Sequence, residues 1–342
     1  MEAEVYMKIA IWGAGKMGQV HGNAYKKMGN DVEISYVIEH DADKAEEFAH
    51  QFHCKALTDI RSLEKDHVDA IDICLPTWLH REAIEQAAGI CRGIFCEKPV
   101  CLNQREYNEL KCLAKEKDCF VMIGQVIRFW SGYVKARELL LNGDIGKPRM
   151  ITCKRRQKMP AWSKGNWLMD SRLSGGILMD LCVHDVDYVY WILGLPELVA
   201  CEIVKRGDTT LHSLLTLTYE DCCASINGSW GMPEGFHEGQ LEAELEIVGD
   251  RGMLIYKSGN ELELITDSGS IMIPLPKEDG YEKELRYFVQ CVRENTYPAQ
   301  SDICSVEGTM EILWAAGRAY GSKQIVKLEE RYGVSECMRA GD

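Results

Sequence analysis

Residues 173–193 read LSGGILMDLCVHDVDYVYWIL. On a helix, Asp180, His184 and Asp187 fall at i, i+4 and i+7 and share one face, with Leu181, Val186, Val189 and Ile192 as apolar flanks. Ionisable groups along an otherwise apolar helix are costly unless they are paired or used. A histidine titrating near neutrality beside a carboxylate suits proton transfer, although a satisfied core His–Asp pair leaves the same pattern. Lys98, in Glu97-Lys98-Pro99, follows an apolar run. There it could hold a hydroxyl oxygen and favour developing alkoxide charge; a solvated loop lysine is the alternative.

A second constellation is G13-A-G-K-M-G18, which directly follows the apolar run M7-K-I-A-I-W12 and opens a helical pattern. Gly13 allows a tight turn, Gly15 lets backbone approach a pyrophosphate, and Gly18 permits close helix–sheet packing. The helix N-terminus then offers free N–H groups and a positive dipole end to phosphates. Glu39 closes the next apolar run, 26 residues after Gly13. A carboxylate there accepts from a ribose diol and repels a 2′-phosphate, which favours NAD over NADP.

These residues need elements to position them. Strands are expected at 7–12, 32–38, 69–75, 92–96 and 119–124, alternating with helices at about 17–28, 43–52, 78–88 and 103–117. That alternation predicts a parallel sheet covered on both faces. Past residue 125 the pattern becomes α+β: a helix near 131–142, a strand at 149–157, and a helix over 180–193 stopped by Gly194 and Pro196. Strands follow at 197–206, 211–219, 222–230, 241–248, 252–257, 260–265 and 270–273, forming a mostly antiparallel sheet. Helices at about 280–294 and 304–318 are expected to close this second domain. The domains so read are 1–125, a dinucleotide-binding Rossmann domain, 126–330, an α+β substrate-binding domain, and 331–342, a C-terminal tail.

Composition excludes other classes. The chain has 342 residues, 39 basic against 53 acidic side chains and a formal net charge of −14, which argues against a nucleic-acid surface. The run C153-K-R-R-Q-K158 reads as a solvated strand. No apolar run reaches the ~18 residues of a membrane span, and the acidic start does not resemble a signal peptide, so a cytoplasmic protein is expected. The 15 cysteines are scattered without a CxxC, and the 9 histidines do not cluster. Small buried thiols in a reducing compartment, with no metal site, are the expectation.

The chain to about residue 330 resembles the glucose–fructose oxidoreductase/inositol dehydrogenase/rhizopine-catabolism family (Gfo/Idh/MocA). The resemblance rests on A10-I-W-G-A-G-K-M-G18, D72-I-C-L-P-T77 with His80, E97-K-P99 and G175-G-I-L-M-D-L-C-V-H-D-V-D187, in that order and spacing. It implies a Rossmann domain followed by an α+β domain whose open sheet serves oligomerisation, as a homodimer or homotetramer. It implies catalysis by Lys98, Asp180 and His184, with Lys98-Pro99 a cis peptide. Dinucleotide contacts would come from Gly13, Gly15, Lys16, Met17, Gly18, Glu39, Leu75, Pro76, Thr77, His80, Glu97 and Lys98, with Glu97 near the nicotinamide ribose. Arg128 resembles a substrate-side arginine. Trp162, Trp167, Trp230 and His237 are candidates for a sugar-facing wall, or for ordinary core packing. Cys182 stands where a small residue is usual, and only two glycines precede Ile177, so the pocket is expected to be reshaped.

The activity implied is reversible oxidation of a secondary hydroxyl of a cyclic polyol or sugar with NAD⁺. Alternatives are an epimerase or glycoside-modifying enzyme that recycles its NAD, an NADPH-dependent keto-sugar reductase, and a non-catalytic NAD- or sugar-binding regulator.

Overall fold

The computed structural model describes residues 6–65, 67–160, 164–236 and 241–328. Trp162, His237 and the tail expected at 331–342 lie outside them. The chain divides into two compact units: Met1–Trp130 with Glu278–Ser305, and Ser131–Lys277 with Val306–Asp342.

The first unit carries strands β1 (Met7–Trp12), β2 (Val32–Ile38), β3 (Lys55–Leu57), β4 (Ala70–Ile73), β5 (Gly93–Cys96) and β6 (Phe120–Ile123). They form one parallel sheet in the order β3-β2-β1-β4-β5-β6. Helices α1 (Lys16–Lys27), α2 (Ala42–Phe52), α3 (His80–Ala87) and α4 (Gln104–Glu116) connect the strands. Successive strand residues point to opposite faces, so the unbroken burial of β4, β5 and β6 means both faces of the sheet are covered. β3, only three residues long, carries too little periodicity to be read from sequence.

The second unit contains α5 (Ser131–Asn142), β7 (Pro148–Arg156), α6 (Ser171–Ser174) and α7 (Val183–Leu193). Strands β8 (Leu198–Arg206), β9 (Thr209–Thr218), β10 (Cys223–Ser229), β11 (Glu242–Gly249), β12 (Gly252–Lys257), β13 (Glu261–Thr266) and β14 (Gly269–Pro274) follow. After α8 (Gly280–Glu294), which belongs to the first unit, come α9 (Glu307–Ser322) and β15 (Val326–Lys327). The nine-stranded sheet runs β14-β13-β12-β11-β7-β10-β9-β8-β15, antiparallel except where β10 pairs with β7. One face is buried through Ile151, Cys153, Leu215, Leu217, Ile226, Leu245 and Ile247. The alternate residues, Met150 and Leu214 among them, are exposed or half-buried, so the other face is open.

The contiguous division at residue 125 needs correction for α8. Its apolar stripe, Leu285, Phe288, Val289 and Cys291, joins the core of Ile9, Ile11, Phe95 and Phe120. A Cβ at Gly93 would lie 2.6 Å from Val292, so β5 makes room for this helix. Sequence order alone cannot show that a helix following the second sheet returns to the first core. Among the described residues every cysteine is a free thiol, and no helix is long and apolar enough to cross a membrane.

Candidate functional site

In the first unit, β2, β1, β4 and β5 lie side by side and parallel, so Glu39, Gly13, Leu75 and Glu97-Lys98 all leave the same carboxyl edge. The order reverses between β1 and β4, which is where open α/β sheets place ligands. Gly13 has φ +112°, and a Cβ there would approach the Cys74 carbonyl oxygen to 2.7 Å. At Gly18 a Cβ would meet the Gly13 carbonyl oxygen at 2.0 Å, so only glycine lets α1 sit this close to the turn. At Gly15, by contrast, a Cβ would meet nothing within 4 Å. Gly15 is exposed and caps α1 without a side-chain hydrogen bond, leaving an open cradle beside a helix N-terminus. Lys16 is exposed and Met17 half-buried beside it.

Glu39 leans over this turn. Its Oε2 accepts from the Ala14 amide at 3.2 Å and its Oε1 from the Asp41 amide at 3.2 Å, while His40 Nδ1 lies 2.6 Å from Oε1. A carboxylate fixed at the glycine turn and a cradle open to phosphate fit a dinucleotide with a free ribose diol.

Lys98 follows β5, is half-buried, and its bond to Pro99 is cis. Buried Glu97 accepts from the Lys98 amide through Oε2 at 3.0 Å. Burial works to raise the Glu97 pKa, but His21 and Lys98 outweigh it and hold the carboxyl below its ordinary value. Leu75 and Pro76 are half-buried; Thr77 is buried and opens a short turn at 77–79.

His80 is placed differently from the expectation of a dinucleotide-facing group. It is 1% exposed, with Nδ1 2.8 Å from the Pro99 carbonyl oxygen and Nε2 2.8 Å from that of Leu75. It is a strut behind the two loops. Arg128 also needs correction: it is 2% exposed, donating to the Gln300 carbonyl at 2.5 Å and to Ser305 Oγ at 3.4 Å. Its guanidinium ties the 126–129 turn to the 300–305 segment.

In the second unit, a π-helical turn at Leu178–Cys182 leads directly into α7. Asp180 lies on that turn and His184 in the first turn of α7; both are half-buried. Asp187, further along α7, is fully buried and accepts from Thr309 Oγ1 at 2.8 Å, which ties α7 to α9. Asp185, the neighbour of His184, makes a bidentate ion pair with Arg155 of β7 at 2.8 and 2.9 Å, and Arg155 also donates to Tyr133. Cys182 is buried, 3.1 Å from Ser213 Oγ, over Gly228. Trp230 is core, 1% exposed, whereas Trp167 is half-buried.

The sequence reading missed a buried cluster in the first unit. His21 Nδ1 lies 2.9 Å from Asp72 Oδ2 and 3.2 Å from Cys74 Sγ, and Nε2 stands 3.2 Å from Glu97 Oε1. These are hydrogen-bond and ion-pair spacings; ligands tetrahedral about zinc lie roughly 3.3 Å or more apart. The available signal was Asp72 itself, an acid inside the apolar run AIDI of a strand buried on both faces.

Residues 7–125 match the family described as Oxidoreductase family, NAD-binding Rossmann fold, and residues 133–255 match the GFO/IDH/MocA C-terminal domain. The chain is 28% identical to myo-inositol 2-dehydrogenase of Thermotoga maritima, over 96% of this chain and all of that protein. It is 23% identical to scyllo-inositol 2-dehydrogenase (NAD(+)) of Bacillus subtilis, over 95% of this chain and 97% of that protein. Levoglucosan dehydrogenase, solved in complex with NADH and levoglucosan, shares the fold at TM-score 0.85 and 18% identity, covering 95% of this chain and all of that one. With an open glycine cradle after β1 and both domains of the family matched in order, the chain belongs to the Gfo/Idh/MocA family of NAD-binding oxidoreductases.

Proposed function

We propose that this protein oxidises a secondary hydroxyl of a cyclic polyol or sugar, reversibly, with Lys98, Asp180 and His184 acting on the substrate. The observation that carries the reading is the half-buried Lys98 leaving the same strand edge as the glycine turn, on a backbone held by buried Glu97 and His80. Bound NAD⁺ supplies the hydride acceptor. His184 takes the hydroxyl proton as general base. Lys98 hydrogen-bonds the reacting oxygen and stabilises its growing negative charge. Asp180 orients the substrate and raises the fraction of productive poses. Glu39 selects NAD⁺ by binding the ribose diol, and Gly15 admits the pyrophosphate. Trp167 is retained as a candidate for the substrate wall.

The test is NADH accumulation, followed by its near-ultraviolet absorbance, with NAD⁺ or NADP⁺ against inositols, hexoses, pentoses and aldonates. Growth of signal with NAD⁺ on one substrate class, abolished by Lys98→Ala, is expected. Binding of NAD⁺ without accumulation would replace this reading with internally recycled redox chemistry or a regulator. We also propose that the open face of the nine-stranded sheet, with Met150 and Leu214 exposed, joins copies into a homodimer or homotetramer; sedimentation equilibrium of the full chain tests it.

A further inference from the structure

His21 lies one helical turn beyond Gly18 on α1 and is fully buried. Asp72, in β4, is also fully buried, and Glu97, just after β5, is 6% exposed. Two carboxylates without water are costly unless a cation stands beside them. The imidazole fills that position, with Nδ1 2.9 Å from Asp72 and Nε2 3.2 Å from Glu97, the second an ion-pair contact and not an aligned hydrogen bond. Its ring is walled by Phe95, edge-on at 5.4 Å, and by Tyr281 at 6.2 Å. Cys74, Tyr25 on the same helix, Glu284 of α8 and, beyond Glu97, Lys98 complete the titratable surroundings.

The arrangement reaches Lys98 in one step. The Glu97 oxygen that does not face His21 accepts from the Lys98 amide at 3.0 Å, so the carboxylate is held from both ends. We infer that His21 is a positioning residue for Lys98: from the glycine-turn helix it fixes the Glu97 carboxylate, and through it the backbone that carries the lysine. The inference rests on the role given to Lys98 under "Proposed function". Burial opposes the proton on His21, but Asp72 and Cys74 outweigh it and hold the imidazole pKa well above its ordinary value, consistent with the cation the geometry requires.

The test uses the full chain and four variants: His21→Gln, Glu97→Gln, their double mutant and the milder Asp72→Asn. Two readouts need no turnover. Histidine side-chain ¹⁵N spectra report the His21 proton, and ¹³C-dimethylated lysine spectra report Lys98, whose signal is assigned by its loss in Lys98→Arg. An imidazolium signal through neutral pH is expected, with a displaced Lys98 resonance in His21→Gln. Per folded molecule, kcat should fall about ten- to a hundredfold, while the substrate KM and the NADH Kd each change less than about threefold. The double mutant should be no slower than the worse single mutant, because both break one chain of contacts.

A neutral imidazole at neutral pH, an unmoved Lys98 resonance, or single-mutant losses that multiply in the double mutant would each overturn the inference. Should His21→Gln fail to fold, Asp72→Asn decides: a displaced Lys98 resonance supports the positioning role and an unmoved one overturns it. If the wild type oxidises no hydroxyl substrate, the dehydrogenase reading fails, and the two spectra still decide whether His21 positions Lys98.

Discussion

His80 Nδ1 lies 2.8 Å from the carbonyl oxygen of Pro99, while its Nε2 lies 2.8 Å from that of Leu75. One buried side chain thus spans the loops after β4 and β5, donating to one of the two carbonyls when neutral and to both only when protonated. Burial lowers its pKa below the ordinary value near 6.5, against the two carbonyls, which favour the proton. In the unfolded chain the imidazole titrates at the ordinary value, so below about pH 6.5 the unfolded state binds more protons and stability falls with pH. His80→Gln should destabilise the protein at neutral pH by about 1–3 kcal/mol, the cost of a buried carbonyl left unpaired. The gap between variant and wild type should narrow between about pH 8 and about pH 5.5, because only the wild type loses stability through this group. Denaturant unfolding across that range checks both.

The glycine turn gives two substitutions of similar size and opposite outcome. Gly15→Ala adds a methyl that meets nothing within 4 Å, so the Tm should hold within a few degrees. The same methyl fills the approach that a pyrophosphate needs, so NAD⁺ binding should weaken by at least about tenfold. Gly18→Ala drives its methyl to 2.0 Å from the Gly13 carbonyl oxygen, and backbone cannot yield as a flexible side chain can. Both Tm and binding should fall. Calorimetry of each variant with and without NAD⁺ separates the two cases.

These glycines show what was legible in the sequence. GxGxxG after a strand and an acid closing the next one fix local geometry by sterics and charge: Gly13 turns the chain after β1, Gly15 opens α1, and Glu39 follows β2 against the Ala14 amide. The second unit's strands were readable because period-two alternation persists along a sheet with one open face. What failed was long-range pairing. His80 and Arg128 look like reactive groups in sequence, yet each is consumed by carbonyls whose owners only the folded chain brings near. Asp187 shares a helical periodicity with Asp180 and His184, but Thr309 of α9 takes it. Likewise α8 carries an ordinary amphipathic pattern, which says that it packs, not on which sheet.

The proposed role of Glu39, selecting the cofactor by charge, is open to a direct test. Its carboxylate is 11% exposed and held by the Ala14 and Asp41 amides. A like-charge pair at about 4 Å is worth about 1 kcal/mol in water and about 4 kcal/mol near a protein surface. Glu39→Gln removes that repulsion while keeping an acceptor. The NADP⁺ Kd should tighten by about tenfold, and the NAD⁺ Kd should weaken as the diol loses a charged partner. Titration of both dinucleotides by fluorescence measures the ratio.

The helix carrying His184 is anchored by the Arg155–Asp185 pair, both partners nearly fully buried. Arg155→Met strands a buried carboxylate and should cost about 3–5 kcal/mol. Arg155→Met with Asp185→Leu removes both charges and should recover much of that loss. Equal destabilisation of the single and double mutants would mean that the pair is held by packing around Tyr133 and not by charge.

Cys182 offers a test of how this chain accommodates a side chain where the family resemblance leads one to expect a smaller one. Its Sγ occupies the space over Gly228, where a Cβ would lie 2.4 Å from the sulfur and 2.8 Å from Ser213 Oγ. Gly228→Ala therefore overpacks the contact between the π-helical turn and β10, at a cost of about 1–3 kcal/mol. Cys182→Gly alone opens a small void and lowers the helix propensity of the turn just before α7. Combined, the added methyl fills space left by the thiol, so the double mutant should be more stable than the sum of the two single losses. Denaturant unfolding of the four proteins measures that coupling. Strict additivity would show that the two residues do not share one space, and that the turn bearing Asp180 is set by other contacts.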